Sequence, residues 1–323
     1  MRFPVTKILR VSLACFAGAT SLHAESFVVD RSAPTIDKWV YPFAASGGGA
    51  RTTAPVFGAV GNVGSFDDRD GQFLVGFSLS GQVPAGLGAG AYEIQRATLT
   101  LSLSFATANK IVYDATYDPR STYDLTTGAP INGDDPGRPI ELYGAGYRGT
   151  YTAQNITETT PYTTSPSPST GEGVRNIYAT DGGTLTATRD VSNNIRDAFD
   201  PVPFAIGQVA PRNLNANGTI KLDEDDRMDV VFTLDLQNPN VVSYLRESLN
   251  AGVLNLLATS LHQASQGGDA TRPEFDAKEI GAAGFPARLH LELSAVPEPS
   301  SIGLLLGTAT IFMSRRRRQA VTL

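Results

Sequence analysis

Residues 97–105 alternate without interruption: Leu99, Leu101, Leu103 and Phe105 are separated by Thr100, Ser102 and Ser104. A period of two places every apolar side chain on one face, so this stretch predicts a strand with one wet and one buried side. Gln72–Ser80, Met228–Leu236, Val253–Ser260 and Arg288–Leu293 predict further strands. Weaker candidates are Trp39–Phe43, Ile140–Tyr143, Asn176–Ala179, Thr184–Thr188 and Pro203–Ile206. Short strands between turn residues fit the 32 glycines and 20 prolines among 323 residues, and that mix excludes a coiled coil, a helical bundle and collagen. The expected fold class is all-β, an antiparallel, jelly-roll-like β-sandwich. Two short helices interrupt it. One is capped by Asn238, starts at Pro239, presents Val242, Leu245 and Leu249, and ends at Gly252; the other runs from about Ser192 to Phe199.

The strands predict one domain over residues 25–295. Its middle, 113–175, reads as a loop-rich insertion, with a Thr/Ser/Pro run at 163–170 that has too few apolar residues to pack. Long loops on a sandwich are common carriers of function.

The two ends read as addresses. Arg2, Lys7 and Arg10 precede an apolar run, Val11–Thr20, and the order basic, apolar, small predicts a secretory signal peptide over 1–24 cleaved after Ala24. The one cysteine, Cys15, leaves with it, so the mature chain has neither disulfides nor thiolates. At the other end Val296-Pro297-Glu298-Pro299 is followed by a short apolar segment, 301–314, and by Arg315, Arg316, Arg317 and Arg318. The segment is near the minimum for crossing a bilayer as a transmembrane helix, and the arginines would stay cytoplasmic. The formal net charge is −6; without the three basic residues of the first 24, and without the four arginines and single acid of the tail, 19 basic and 31 acidic residues remain. So acidic a body repels phosphate backbones, which argues against a nucleic-acid partner.

The tail, VPEPSS-IGLLLGTATIF-MSRRRR, resembles the PEP-CTERM sorting signal of Gram-negative bacteria, over residues 296–318. The resemblance implies recognition by an exosortase through Pro297, Glu298 and Pro299, export through the Sec translocon, transient anchoring in the inner membrane, and delivery to the cell surface or outside. Two body stretches, 69–103 and the strand–helix–strand run 232–260, are similar to DNRLRE-type surface domains, which are β-sandwiches.

Residues able to do chemistry are sparse. Ser260 and His262 share a strand face, but a nucleophile pair also needs an orienting acid and an oxyanion donor. His290, between Leu289 and Leu291, reads as a solvated strand residue. Asp68 and Asp70, in an acidic turn closed by Gly71, are the candidate ligands for Ca²⁺, a hard cation that takes six to eight oxygens; a solvated turn is the plainer reading. Trp39 and Tyr41 share a strand face, and Tyr143 and Tyr147 read as lying in Gly-rich loops; these four are the candidate carbohydrate-binding aromatics. The expected function is a non-catalytic structural role at the cell surface or in the extracellular matrix. The alternatives are a carbohydrate-binding module, with exopolysaccharide as partner and Ca²⁺ as the one candidate cofactor, and a glycan-active enzyme, for which two carboxylates about 5–10 Å apart are required.

Overall fold

A computed structural model describes residues 24–41, 51–58, 67–124, 131, 137–162, 175–223, 227–263 and 272–296. The alternating sequences build the first sheet, in the spatial order β1 (Glu25–Arg31), β13 (Arg288–Ala295), β5 (Tyr92–Ser102), β10 (Asp229–Thr233) and β9 (Gln208–Val209). Ala97, Leu99 and Leu101 of β5, and Leu289, Leu291 and Leu293 of β13, point into the core. Their neighbours Thr98, Thr100, Arg288, His290 and Glu292 are only partly buried. The alternation ends earlier than its sequence does. Strand β5 stops at Ser102, and Phe105 lies in a short 3-10 turn, 47% exposed, because the chain leaves the sheet before reaching it.

The second sheet runs β2 (Ile36–Val40), β4 (Gln72–Ser78), β11 (Val253–Ser260), β6 (Ile140–Tyr147) and β7 (Ile177–Thr180), with β8 (Ala205–Ile206) beside β6. A small third sheet pairs β3 (Thr53–Pro55) with β12 (Glu274–Asp276). All strand pairings are antiparallel. One face of the second sheet shares the main core with the first, through Phe73, Val75, Phe77, Leu142, Leu254 and Leu256. The other face carries a second apolar cluster, in which Leu74, Tyr143 and Leu257 meet Ile156, Tyr162 and Val191 from the connecting segments. Burying one such Leu or Phe contributes about 1.5–3 kcal/mol.

The described residues hold a single α-helix, α1 (Pro239–Ala251), started by Asn238, whose side chain accepts a hydrogen bond from Asn240 N at 2.9 Å, and stopped by Gly252 at φ 71°. Its buried face is Val241, Tyr244, Leu245, Ser248 and Leu249, one position away from the expected Val242. Tyr244 is what shifts the face. Its hydroxyl donates to Asn255 O at 2.7 Å and accepts from Ala145 N at 2.9 Å, so a polar tip reaches the sheet through the core. It fits because residue 144 is glycine; a Cβ there would lie 2.8 Å from the Tyr244 ring.

The expected helix over 192–199 is instead a series of turns. Asn193 and Asn194 spend their side chains on Asp68 and Arg69, and Ala198 takes φ 57°, which no right-handed helix admits. Thr184–Thr188 forms no strand. The supposed insertion is not all loop, since its residues 140–147 are β6, an inner strand of the second sheet. Among the described residues no helix is long and apolar enough to cross a membrane. The Thr/Ser/Pro run 163–170, the expected apolar span 301–314, the sorting residues Pro297, Glu298, Pro299 and Arg315–Arg318, and the signal segment before Ala24 lie outside the described residues.

Candidate functional sites

The acidic turn before β4 is bound by arginines. Asp67 Oδ2 accepts from Arg175 Nε at 2.6 Å and from the Tyr162 hydroxyl at 3.1 Å. Burial works against the charge of Asp67, but the Arg175 guanidinium together with hydrogen bonds from Asn193 and Tyr162 holds the carboxyl below its ordinary range. Asp68 takes Arg196 at both oxygens, from Nε and from the backbone N–H, each at 2.9 Å. A Ca²⁺ ion at Asp68 would have to displace that guanidinium. Asp70 is 3% exposed, and burial pushes its carboxyl up to about 7, with the Arg175 charge opposing and the Asp67 charge adding. The residue between them, Arg69, points inward and sets Nη1 2.5 Å from Glu141 Oε2 on β6, with both side chains at 2% exposure or less. Its Nε donates to Asn194 Oδ1 at 3.0 Å.

Arg175 completes this network. It is 1% exposed and donates from Nη2 to the carbonyls of Arg69 and Asp70 at 2.9 and 2.7 Å. Gln72 Nε2 adds bonds to Arg69 O and Ser192 Oγ. The network therefore joins the turn to three distant segments, around 141, 175 and 192–196. Sequence reading singled out Asp68 and Asp70 and missed Arg69, Glu141, Arg175 and Arg196. The local signal was present, because a basic residue stands inside the acidic run, but its partners lie more than 100 positions away in the cases of Arg175 and Arg196.

Tyr143 and Tyr147 sit on β6 and not in loops. Tyr143 is fully buried and donates its hydroxyl to Glu141 at 2.7 Å, so it has no free face to offer a sugar. Tyr147 accepts from Asn255 Nδ2 at 2.8 Å. The other pair is brought together at the sheet edge. Trp39 and Tyr41 stack with ring centroids 4.3 Å apart, Phe57 stands edge-on to Tyr41 at 5.4 Å, and the Arg51 guanidinium lies 4.4 Å from the Trp39 ring. Both are half-buried, and Trp39 Nε1 donates to Pro55 O at 2.6 Å. Burial, then the nearby Asp70 charge, pushes the Tyr41 hydroxyl up to about 12.

Ser260 and His262 do meet, with Oγ and Nδ1 2.5 Å apart, but both are buried. Pro139 O, 3.0 Å from the Ser260 hydroxyl, competes with the imidazole for its one proton. Burial lowers the His262 pKa to about 4. His290 lies on the outer face of the first sheet, 2.7 Å from Asp30 and 2.9 Å from Glu292; hydrogen bonds to these two raise its pKa. A cluster unread in the sequence joins Asp37, Glu158 and Glu279, whose carboxylate oxygens lie within 4.8 Å of one another. The Lys278 ammonium sits among them, 3.1 Å from Asp37 and Glu279 and in contact with Glu158, and so supplies the cation itself.

The two ends of the body are neighbours. Glu25, the first residue of β1, pairs with Ala295, the last of β13, and Val296 N donates to Ala91 O at 2.9 Å. The last strand thus ends two residues before Pro297. There the body hands over to a known signal: residues 295–318 match the PEP-CTERM protein-sorting motif. The chain is an exosortase-targeted, exported protein, as its tail led one to expect. No curated protein matches the chain. The likeness of the body to DNRLRE-type domains stays an expectation from sequence.

Proposed function

We propose that this is a non-catalytic structural protein of the cell surface or extracellular matrix, a β-sandwich body exported by Sec, held for a time by its C-terminal span and then released or re-anchored by an exosortase. The observation that carries the reading is the use of the body's charged groups. Arg69, Arg175, Arg196, Asp67, Asp68 and Glu141 are spent on one another and on backbone groups, fastening loops to a sheet, while the sorting motif begins where the last strand ends. Such a body is built for persistence outside the cell without disulfides.

The Trp39–Tyr41 pair, partly buried beside the buried Phe57, supports a second reading, a carbohydrate-binding module, because partly exposed aromatic rings with a guanidinium alongside are suited to contact sugar rings. Binding of residues 25–296 to the host's own exopolysaccharide, with Ca²⁺ and then with a chelator, separates the two. The structural reading expects no saturable binding. Saturable binding weakened by Trp39→Ala replaces it with the module, and loss on chelation adds Ca²⁺ as its cofactor.

A further inference from the structure

Both membrane connections of this chain leave the body at one end. The first rung of β1 with β13, Glu25 beside Ala295, joins the residue after the expected signal-peptide cleavage to the residue where the sorting motif begins. Beyond Ala295, residues 296–300 separate the last strand from the apolar segment, and the fully extended reach from 295 to 301 is at most roughly 22 Å. The body is therefore kept close to the bilayer, with this end facing it.

The surface at that end differs from the rest of an acidic body. It is formed by the turn 80–91, Ser-Gly-Gln-Val-Pro-Ala-Gly-Leu-Gly-Ala-Gly-Ala, which carries no charged side chain, and by the end of α1 at Ala251 and Gly252. The turn is tied to its surroundings by Gly86 N to Asn250 O, by Gly88 N to Asn250 Oδ1, and by the Tyr92 hydroxyl to Pro84 O. Gly81, Gln82, Pro84, Ala85 and Gly86 are exposed. Charges stand at its border: Arg31 donates Nη2 to Ser80 O at 3.5 Å, Arg246 donates Nε to Tyr92 O, and Glu25 opens β1 beside it. The opposite end, ten residues along β5 or roughly 33 Å away, carries Lys110, Asp114, Arg212, Lys221, Asp223 and Arg227.

We infer that the uncharged end built from residues 80–91 and 251–252 is a membrane-apposed surface, which lies on the lipid headgroups while the tail is in the bilayer. A strongly acidic surface so close to anionic lipid would be repelled, and a turn without acidic side chains, with the Arg31 guanidinium at its edge, is not. The inference rests on the sorting reading, since it needs the tail to enter the membrane.

The test uses the whole chain exported in a Gram-negative host that lacks exosortase, where the tail is kept and removal of Cys15 with the signal leaves no cysteine. Gln82→Cys and Ala216→Cys, both exposed positions, receive a fluorophore after reconstitution into phosphatidylethanolamine–phosphatidylglycerol vesicles. A headgroup-labelled quenching lipid is expected to quench the probe at 82 severalfold more than the probe at 216. Chain that floats with the vesicles but shows equal quenching at the two positions overturns the apposed surface and leaves the sorting reading intact. Chain that does not float overturns both. In a host with exosortase, Gln82→Glu with Ala85→Glu is expected to slow tail removal, and Ala216→Glu to leave it unchanged; equal rates for both variants would overturn the role given to the missing charge.

Discussion

Strands β5 and β11 line the same core, yet only one of them alternates. β5 belongs to the first sheet, whose outer face meets solvent, and its burial alternates over Ala97–Leu101. β11 reads Val-Leu-Asn-Leu-Leu-Ala-Thr-Ser, and seven of its eight residues are buried, because the far face of the second sheet is roofed by the segments around 151–162 and 190–199. A sheet wet on one side holds its shape through one apolar face. A sheet covered on both sides must also pair the charges beneath the cover, and here Arg69 and Arg175 pair with Glu141 and Asp67. The molecule is therefore fragile in one place more than another: polar deletions should be costly under the cover and cheap on the open face.

The largest effect is expected from Arg69→Ala, which leaves Glu141 charged, 2% exposed and without its guanidinium. A loss of about 3–5 kcal/mol is expected in chemical denaturation. Arg69→Met with Glu141→Leu should recover most of it, since an apolar pair needs no partner. Next is the pH dependence at Asp70. Its folded pKa, about 7, lies above the unfolded value, so its contribution is fully present below about 4 and is lost as pH rises through 7. Asp70→Asn should flatten that decline and raise stability above pH 7, by at most on the order of 4 kcal/mol; unchanged pH profiles for the two proteins would clear Asp70 of any part in it. In the first sheet, Leu291→Ala, which empties a core site, should cost about 2–4 kcal/mol in the same denaturation assay. The smallest effect belongs to the open face. His290→Ala breaks two ion pairs but should change stability by about 0.5 kcal/mol or less at neutral pH, because solvent screens both. A larger loss there than at Arg69 would reverse the order of the two sheets.

The same contrast explains what the sequence disclosed. The first sheet was legible at β5, β10 and β13, since alternation survives wherever one face is wet. Edge strand β1 was not, because Glu25–Arg31 has only Val29 fully buried while Val28 is 62% exposed. In the second sheet β4 and β11 were found from apolar runs, but β6 was legible only weakly and only over its first half, Ile140–Tyr143, and the rest was taken for loop. Its glycines and tyrosines look like turn chemistry, and only the fold reveals that Gly144 and Gly146 make room for the rings of Tyr244 and Tyr178. The acidic turn at 67–70 drew notice for its carboxylates. Their destination was hidden because Arg175 and Arg196 meet them only through tertiary structure. The sorting tail needed no fold to be read, since its order of Pro-Glu-Pro, apolar segment and arginines is local.

On this reading the body is delivered by its two ends and processed at both. The decisive observation is the intact mass of the protein recovered from the surface or medium of an exosortase-containing host. Processing at both ends predicts a chain that begins at Glu25 and ends near Pro297, and a longer chain that keeps its arginines when exosortase is deleted. A recovered chain that still runs to Leu323 in the presence of the enzyme would refute it.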